Sequence, residues 1–309
     1  MKRNKKKARA ARATHLGESA EVRRDAAGRV HLVVARDQAG NEFFALSAPL
    51  FEESWQNDVT SGTANSAFAA LSDQPNLERT VELARSVMAI TSRMADGLLA
   101  RAPRGAVACE AGCDHCCYQA VGVTPPEALA IFEHVKRTRS ADELADLARR
   151  VSEFRARTSG LTSAERFSPE FPCVFLESRR CSIYEVRPLS CRGMNSLDAG
   201  DCESRLRDPE ARDAFLAVGS GGHSYMEPIR AFHAVSAGLQ LGLAELYRLD
   251  MRPLDLVGAM FLLLSGPERL VEEWLAGRSP FESALSDEHS TDPGMRELSG
   301  ALSPSESNE

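Results

Sequence analysis

The sequence predicts a mainly helical fold with a small N-terminal β-hairpin and an irregular, cysteine-rich centre. Three observations lead to this prediction. Apolar residues recur at three- and four-residue steps on both sides of the centre, which is typical of helices packed on a core. Two short runs near the N-terminus have the composition of strands. All eight cysteines lie between Cys109 and Cys202, where helix breakers interrupt the pattern.

The composition is that of a globular protein. A chain of 309 residues with 43% hydrophobic and 26% charged residues can bury a core in one large domain or two modest ones. The net charge of −7 argues against extensive nucleic-acid binding. The best apolar run, 256–264, is too short to span a membrane. We therefore expect a cytoplasmic protein without a membrane partner.

A basic tail, 1–27, forms the first predicted segment. Seven of the first twelve residues are Lys or Arg, and no apolar run follows at 13–19 as a secretory signal would require. Such a tail is either an arm that contacts RNA, DNA or an anionic surface, or a solvated chain. We expect a disordered tail, with no other contact to nucleic acid.

The second predicted segment, 28–75, contains the hairpin. Its two strand-like runs, 29–35 and 42–47, flank a turn that contains Gly40. Small and polar residues dominate 48–75, which we interpret as an irregular connection.

The third predicted segment, 76–205, carries the cysteines. It opens with an apolar stripe of helical period at 77–98. Three further helices are predicted after Thr124, Ser140 and Thr162, because each of these capping residues is followed three positions later by a glutamate, as in a capping box. The later part of the segment has little helical period, so we predict that it is irregular.

The fourth predicted segment, 206–284, is helical, and 285–309 is rich in Ser, Glu, Asp and Pro, which predicts disorder. The predicted helices lie at 209–218, 229–246, 253–264 and 267–275. The glycine-rich run 219–222 follows a helix rather than a strand, so we interpret it as a linker and not as a nucleotide-binding turn.

The clustering of thiols predicts a bound metal. The cysteines form two sets along the chain, Cys109, Cys113, Cys116 and Cys117, followed by Cys173, Cys181, Cys191 and Cys202. Four thiols within nine residues are too near one another for easy mutual bridging, and a reducing compartment disfavours disulfides. Free thiols without a ligand are normally scattered. Because adjacent Cys116 and Cys117 point in different directions, one multinuclear cluster or two separate ions both remain possible.

The ligand type leaves the metal open. A tetrahedral set of thiolates suits zinc and an iron–sulfur cluster equally. The spacing matches neither the ferredoxin patterns nor the paired pattern of a zinc ribbon. Four thiolates around one zinc ion leave a charge of about −2, which nearby arginines either neutralise or merely accompany as a solvated basic face. These arginines are Arg179, Arg180, Arg187 and Arg192.

The cysteine segment resembles the YkgJ-like cysteine-cluster family, which is described as a zinc- or iron-chelating domain. The resemblance covers about residues 105–205 and rests on elements that occur together and in order. These elements are Cys109-x3-Cys113-x2-Cys116-Cys117, Cys173-Val-Phe-Leu, Cys181-Ser-Ile-Tyr184, Arg187-Pro188 and Cys191-Arg192. The resemblance implies that all eight cysteines are metal ligands. Some proteins similar to this family methylate lysines of flagellin, so a cluster-dependent enzyme, either a protein lysine N-methylase or a redox enzyme, is the alternative to a metal-binding module.

The other residues of the motif have two interpretations. In the first, Ile183 and Tyr184 cover the metal and exclude water, Arg187 anchors a thiolate or an acidic group, and Pro188 stiffens the turn before Cys191. In the second, they are ordinary core residues. We expect His115 to lie at the surface or beside the ligands rather than among them.

Overall fold

The structure is a computed structural model that describes residues 32–36, 39–71, 75–102, 107–218 and 223–286. It confirms a mainly helical protein with an N-terminal hairpin. The strands are β1 Leu32–Arg36, β2 Glu42–Leu46, β3 Gly122–Val123, β4 Leu176–Glu177, β5 Arg180–Cys181 and β6 Leu254–Asp255. The helices are α1 Ser54–Leu71, α2 Leu77–Leu99, α3 Pro125–Thr138, α4 Ala141–Thr158, α5 Ser163–Arg166, α6 Leu189–Gly193, α7 Ala199–Arg207, α8 Pro209–Val218, α9 Met226–Tyr247, α10 Leu256–Ser265 and α11 Pro267–Leu275. The predicted tail 1–27, the linker 219–222 and nearly all of the predicted C-terminal tail lie outside the described residues.

The N-terminal hairpin has the predicted strands. β1 and β2 pair antiparallel, with Leu32 opposite Leu46. Gly40 has a φ of +84°, which a glycine adopts without the steric cost that a Cβ would bring. Leu32 and Phe44 are buried, so one face of the hairpin belongs to the core.

The prediction of an irregular connection at 48–75 is wrong, because α1 occupies most of that range. The buried face of this helix consists largely of small or polar side chains, including Thr60, Ala64 and Ala67. A helix buried through such residues shows no apolar stripe. The sequence pattern therefore missed it.

The reason for these small residues is the close approach of α1 to α9. A Cβ added at Gly238 would collide with the carbonyl oxygen of Thr60, and one at Gly242 would lie 3.1 Å from the Ala64 Cα. The Thr60 hydroxyl also donates a hydrogen bond to the Ala234 carbonyl oxygen, 3.0 Å away. The two helices therefore pack backbone against backbone.

The predicted capping residues begin the predicted helices. Complete capping boxes start α3 at Thr124, α4 at Ser140 and α5 at Thr162. α2 begins after Asn76, whose side-chain oxygen accepts a hydrogen bond from the Arg79 N–H at 2.9 Å. These local signals need no tertiary contact to act, which explains why the sequence revealed them.

The C-terminal helices are joined to β3, the strand that follows the first cysteine set. β6 pairs antiparallel with β3, so Leu254 lies opposite Val123. The helix predicted at 253–264 consequently begins only at Leu256, after the capping residue Asp255. The Arg166 guanidinium binds the Asp255 carboxylate at 2.8 Å, which ties α5 to the same junction.

The hydrophobic core extends from the hairpin to the last helices. Its buried residues include Phe44, Leu71, Ile131, Leu239 and Trp274. None of the helices in the described ranges is long and apolar enough to cross a membrane. The division of the chain into five segments stays a prediction.

Candidate metal centre

The first cysteine set lies in a tight turn. Gly112 takes a φ of +93°, and the Cys113 N–H donates to the Glu110 carbonyl oxygen at 3.1 Å. A 3₁₀ turn, His115–Tyr118, follows and carries Cys116 and Cys117. The chain is therefore folded compactly enough to present four thiols from a short loop. His115 is half-buried within this turn.

The second cysteine set is more regular than predicted. Cys181 ends β5, which pairs with β4 so that Leu176 lies opposite Cys181. Cys191 lies in α6 and Cys202 in α7. Short elements thus present three of the four thiols, whereas Cys173 lies in irregular chain before β4.

The β4–β5 turn reaches back to the first cysteine set. Its two central residues, Ser178 and Arg179, have φ values of 50° and 60°, the left-handed conformation that a two-residue hairpin requires. The Arg179 guanidinium lies 3.3 Å from the buried carboxylate of Asp114. Arg179 is therefore tied to the loop that carries the first thiols.

Backbone hydrogen bonds join the two cysteine sets at two places. At one, the Cys173 N–H donates to the Cys117 carbonyl oxygen at 2.7 Å. At the other, the Ala108 N–H donates to the Ser196 carbonyl oxygen at 2.8 Å, and the Ser196 N–H lies 3.2 Å from the Cys109 sulfur. Burial raises the pKa of the Cys202 thiol, and the Ser196 side chain opposes that shift.

All eight thiols are free of disulfide bonds. Cys109 and Cys116 are exposed and the other six are half-buried. Burial raises the pKa of the Cys173 thiol to about 12. A hydrogen bond with the Cys117 thiol, together with burial of the sulfur, raises the pKa of Cys116 well above its ordinary value. Free, partly buried thiols with such pKa values are protonated at neutral pH, and a metal ion takes the place of those protons when it binds.

The electrostatic neighbours of the thiols form two groups that overlap at Cys116. The charges of Cys173, Cys116 and Cys181 all act on Cys191. Those of Cys113 and Cys202 act on Cys109, as does that of Cys116. Cys113 in turn acts on Cys202.

Arg187 lies beside the first of these groups. Its charge acts on Cys116, Cys181 and Cys191, and its guanidinium stacks 4.4 Å above the ring of Tyr184. The Arg187 Nε is buried and has no hydrogen-bond partner among the described residues. A buried donor without a partner, next to thiols, fits the predicted anchoring of a thiolate.

The remaining motif residues have different surroundings. Arg192 is buried and donates to the carbonyl oxygens of Glu185 at 2.6 Å and Arg187 at 2.8 Å, so it fixes the turn before α6. Ile183 is 1% exposed, whereas Tyr184 is 61% exposed. Ile183 therefore has the burial expected of a residue that excludes water, and Tyr184 does not. Pro188 directly precedes α6, as its predicted role before Cys191 requires.

Glu127 has a second role that the sequence did not reveal. One oxygen of its buried carboxylate completes the capping box with Thr124, and the other accepts a hydrogen bond from the Leu189 N–H at 2.7 Å. Burial raises the pKa of Glu127. The same glutamate therefore starts α3 and positions α6, which carries Cys191. The capping motif predicted the first contact, but the contact with Leu189 spans 62 positions.

The donor set fits a thiolate-bound metal in chemistry and in backbone placement. Within the described ranges, no group of three or more Cys, His, Asp or Glu side chains is already arranged to hold an ion. Metal binding and folding are coupled in such segments, because a formed site rarely exists in the unfolded chain. The free thiols, the two backbone junctions and the half-buried Arg187 nonetheless provide the ligands and the balancing charge.

A family model described as "Putative zinc- or iron-chelating domain" matches residues 108–209, about a third of the chain. The match confirms the cysteine-cluster resemblance for this segment. No curated protein and no solved structure matches the chain.

Proposed function

We propose that residues 108–209 are a metal-chelating module that binds zinc or iron through all eight cysteines. The observation that carries this proposal is the pair of backbone junctions. They bring Cys173 beside Cys117 and Ser196 beside Cys109, so chain segments whose cysteines are distant in sequence lie next to one another, and none of the thiols forms a disulfide.

Charge balance supports the same function. Four thiolates around a divalent ion carry an excess negative charge, which desolvated cations nearby can offset. Arg187 is placed for this, because its charge acts on three of the thiols. Arg179 and Arg180 are exposed and contribute less.

The bound metal would decide what the module does. Zinc would hold the irregular segment in its fold, whereas an iron–sulfur cluster would add electron transfer. A cluster-dependent enzyme, such as a protein lysine N-methylase, stays an alternative prediction.

Elemental analysis with a visible spectrum of the full chain, purified without oxygen, tests the proposal. We expect stoichiometric zinc in a colourless protein, or iron with sulfide and the broad absorption of an iron–sulfur cluster. A protein that contains neither metal, takes up none on reconstitution under reducing conditions and keeps eight reactive thiols would overturn it.

A further inference from the structure

The order of the cysteines along the chain suggests that each set binds its own metal, but the contacts join them differently. Ser196 connects Cys109, near the start of the segment, to Cys202, near its end. Its N–H lies 3.2 Å from the Cys109 sulfur. Its hydroxyl donates to the Asp198 carbonyl oxygen at 2.8 Å and accepts from the Asp198 N–H at 3.1 Å, and Asp198 caps the helix that carries Cys202. The 2.8 Å hydrogen bond from the Ala108 N–H to the Ser196 carbonyl oxygen fixes the same junction.

A separate junction connects the end of the first set to the start of the second. The Cys173 N–H donates to the Cys117 carbonyl oxygen at 2.7 Å, so the 3₁₀ turn that contains Cys116 lies alongside Cys173. The β4–β5 hairpin then reverses the chain and returns Cys181 to the same side.

Cys191 joins this second junction through α6. The Leu189 N–H is held by the Glu127 carboxylate at 2.7 Å, and Arg192 fixes the preceding turn through the Glu185 and Arg187 carbonyl oxygens. The cysteines near enough to act electrostatically on Cys191 are Cys173, Cys116 and Cys181.

Resting on the proposed function, we infer that the module holds two metal sites that exchange cysteines between the two sets. The inner site consists of Cys116, Cys173, Cys181 and Cys191. The outer site consists of Cys109, Cys113 and Cys202, with Cys117 as the remaining thiol that completes four ligands. Because Cys116 and Cys117 are adjacent, the two sites share one 3₁₀ turn and hold both ends of the segment together.

Cobalt titration of pairs of cysteine-to-serine variants tests this assignment. Co²⁺ replaces zinc in tetrahedral thiolate sites, and its visible spectrum reports how many thiolates surround each ion. The metal-free chain, prepared with a chelator under reducing conditions, is titrated with Co²⁺ alone, and the ions that show the full four-thiolate spectrum are counted. We expect two such ions for the natural sequence.

Two double variants give opposite results under the two groupings. Cys116→Ser with Cys191→Ser removes two ligands from the inner site, so one full four-thiolate ion remains. Cys191→Ser with Cys202→Ser damages both sites, so none remains. If each set bound its own metal, these two results would be interchanged, and a single multinuclear cluster would make both variants lose the full spectrum.

Either of those outcomes would overturn the exchanged grouping while leaving metal chelation intact. A natural chain that binds no Co²⁺, zinc or iron would instead overturn the proposed function. Ser204→Ala is the matched control, because Ser204 is exposed on the same helix as Cys202, and it should bind two ions. Far-ultraviolet circular dichroism checks that the double variants keep the helices outside the segment.

Discussion

The helix pair α1–α9 and the cysteine centre are stabilised in different ways. α1 and α9 meet through small residues, so that Gly242 lies against Ala64 and most of the contact surface is fully buried. The cysteine centre has half-buried thiols and is joined by hydrogen bonds such as the one from Cys173 to Cys117. The first region depends on shape, whereas the second depends on polar contacts and, under our proposal, on metal.

This difference predicts which changes should destabilise each region. Close packing leaves no room for added atoms. The stability of the helix pair should therefore fall when side-chain volume is added, and it should not change when metal is removed. The cysteine centre shares the hydrophobic core through residues such as Phe175 and Ile183. Metal binding adds stability to it, so the centre should be sensitive to metal and to the groups that position the ligands.

Removing the metal should have the largest effect. Chelation under reducing conditions should lower the free energy of local unfolding in 107–118 and 173–202 by at least about 3 kcal/mol, because ligand binding and folding of such a segment are coupled. Hydrogen exchange followed by mass spectrometry measures this, with α1 and α9 as the internal control. Equal protection of the centre with and without metal would contradict the comparison.

Substitution of Gly238 should have the next largest effect. The Cβ of Gly238→Ala would collide with the Thr60 carbonyl oxygen and lie 2.7 Å from the Thr63 Cβ. We expect a loss of about 3 kcal/mol in the free energy of unfolding, with unchanged metal content per folded chain. Urea denaturation measures the loss.

The matched control is Gly62→Ala in α1, where a Cβ meets nothing within 4 Å. This change should stabilise the helix by roughly 0.5–1 kcal/mol. If the two alanine variants were equally stable, the close approach of the helices would not limit the fold.

Glu127 connects the two regions, and its removal should cost about 2 kcal/mol. Glu127→Ala leaves the buried N–H groups of Thr124 and Leu189 without their acceptor. Metal affinity should fall as well, because Leu189 opens the helix that carries Cys191. Thermal denaturation and a chelator competition measure the two effects.

Glu143→Ala is the control for Glu127→Ala, since Glu143 completes the same capping box with Ser140 at an exposed position. It should cost less stability and leave metal affinity unchanged. Equal losses in both variants would show that Glu127 acts only as a helix cap.

Substitution of Arg187 should lower the metal affinity more than it lowers the stability of the fold. Arg187→Gln removes the cation whose charge acts on Cys116, Cys181 and Cys191, and we expect metal affinity to fall about tenfold. Arg180→Gln is the control, because Arg180 is exposed at the start of β5. Competition with a chromophoric chelator compares them, and equal affinities would exclude Arg187 as the balancing charge.

Sequence reasoning predicted the elements whose signals are local along the chain, and it missed those that depend on distant residues. The caps at Thr124, Ser140 and Thr162 act within one helical turn, so their pattern predicts the helices they start. α1 escaped detection because its buried face has small residues that match α9, more than 150 positions away.

The candidate site shows the same limit. The clustering of the cysteines predicts that they are metal ligands, but under our proposal their grouping depends on contacts that cross the segment. The contact between Ser196 and Cys109 spans 87 positions, and no local pattern reports it. Spacing along the chain therefore predicts which residues bind metal, and tertiary contacts decide which residues bind it together.

The smallest predicted effect concerns pH and His134 on α3. His134 is 6% exposed, and its Nδ1 has no hydrogen-bond partner among the described residues. Burial lowers the pKa of His134 below its ordinary value of 6.5. The charge of Glu185 opposes this shift, and three cations reinforce it, those of Arg137, Arg85 and Arg139.

A lowered pKa in the folded state means that the unfolded chain takes up a proton which the folded chain does not. Stability is therefore fully present above pH 6.5 and falls as the pH drops through 6.5 towards the lower pKa of the folded state. His134→Gln removes this contribution, so the variant should lose less stability than the natural chain between pH 7.5 and 5.5. Urea denaturation across that range measures both. Parallel curves would show that His134 is not protonated on unfolding, and the helical region would then owe its acid sensitivity to other groups.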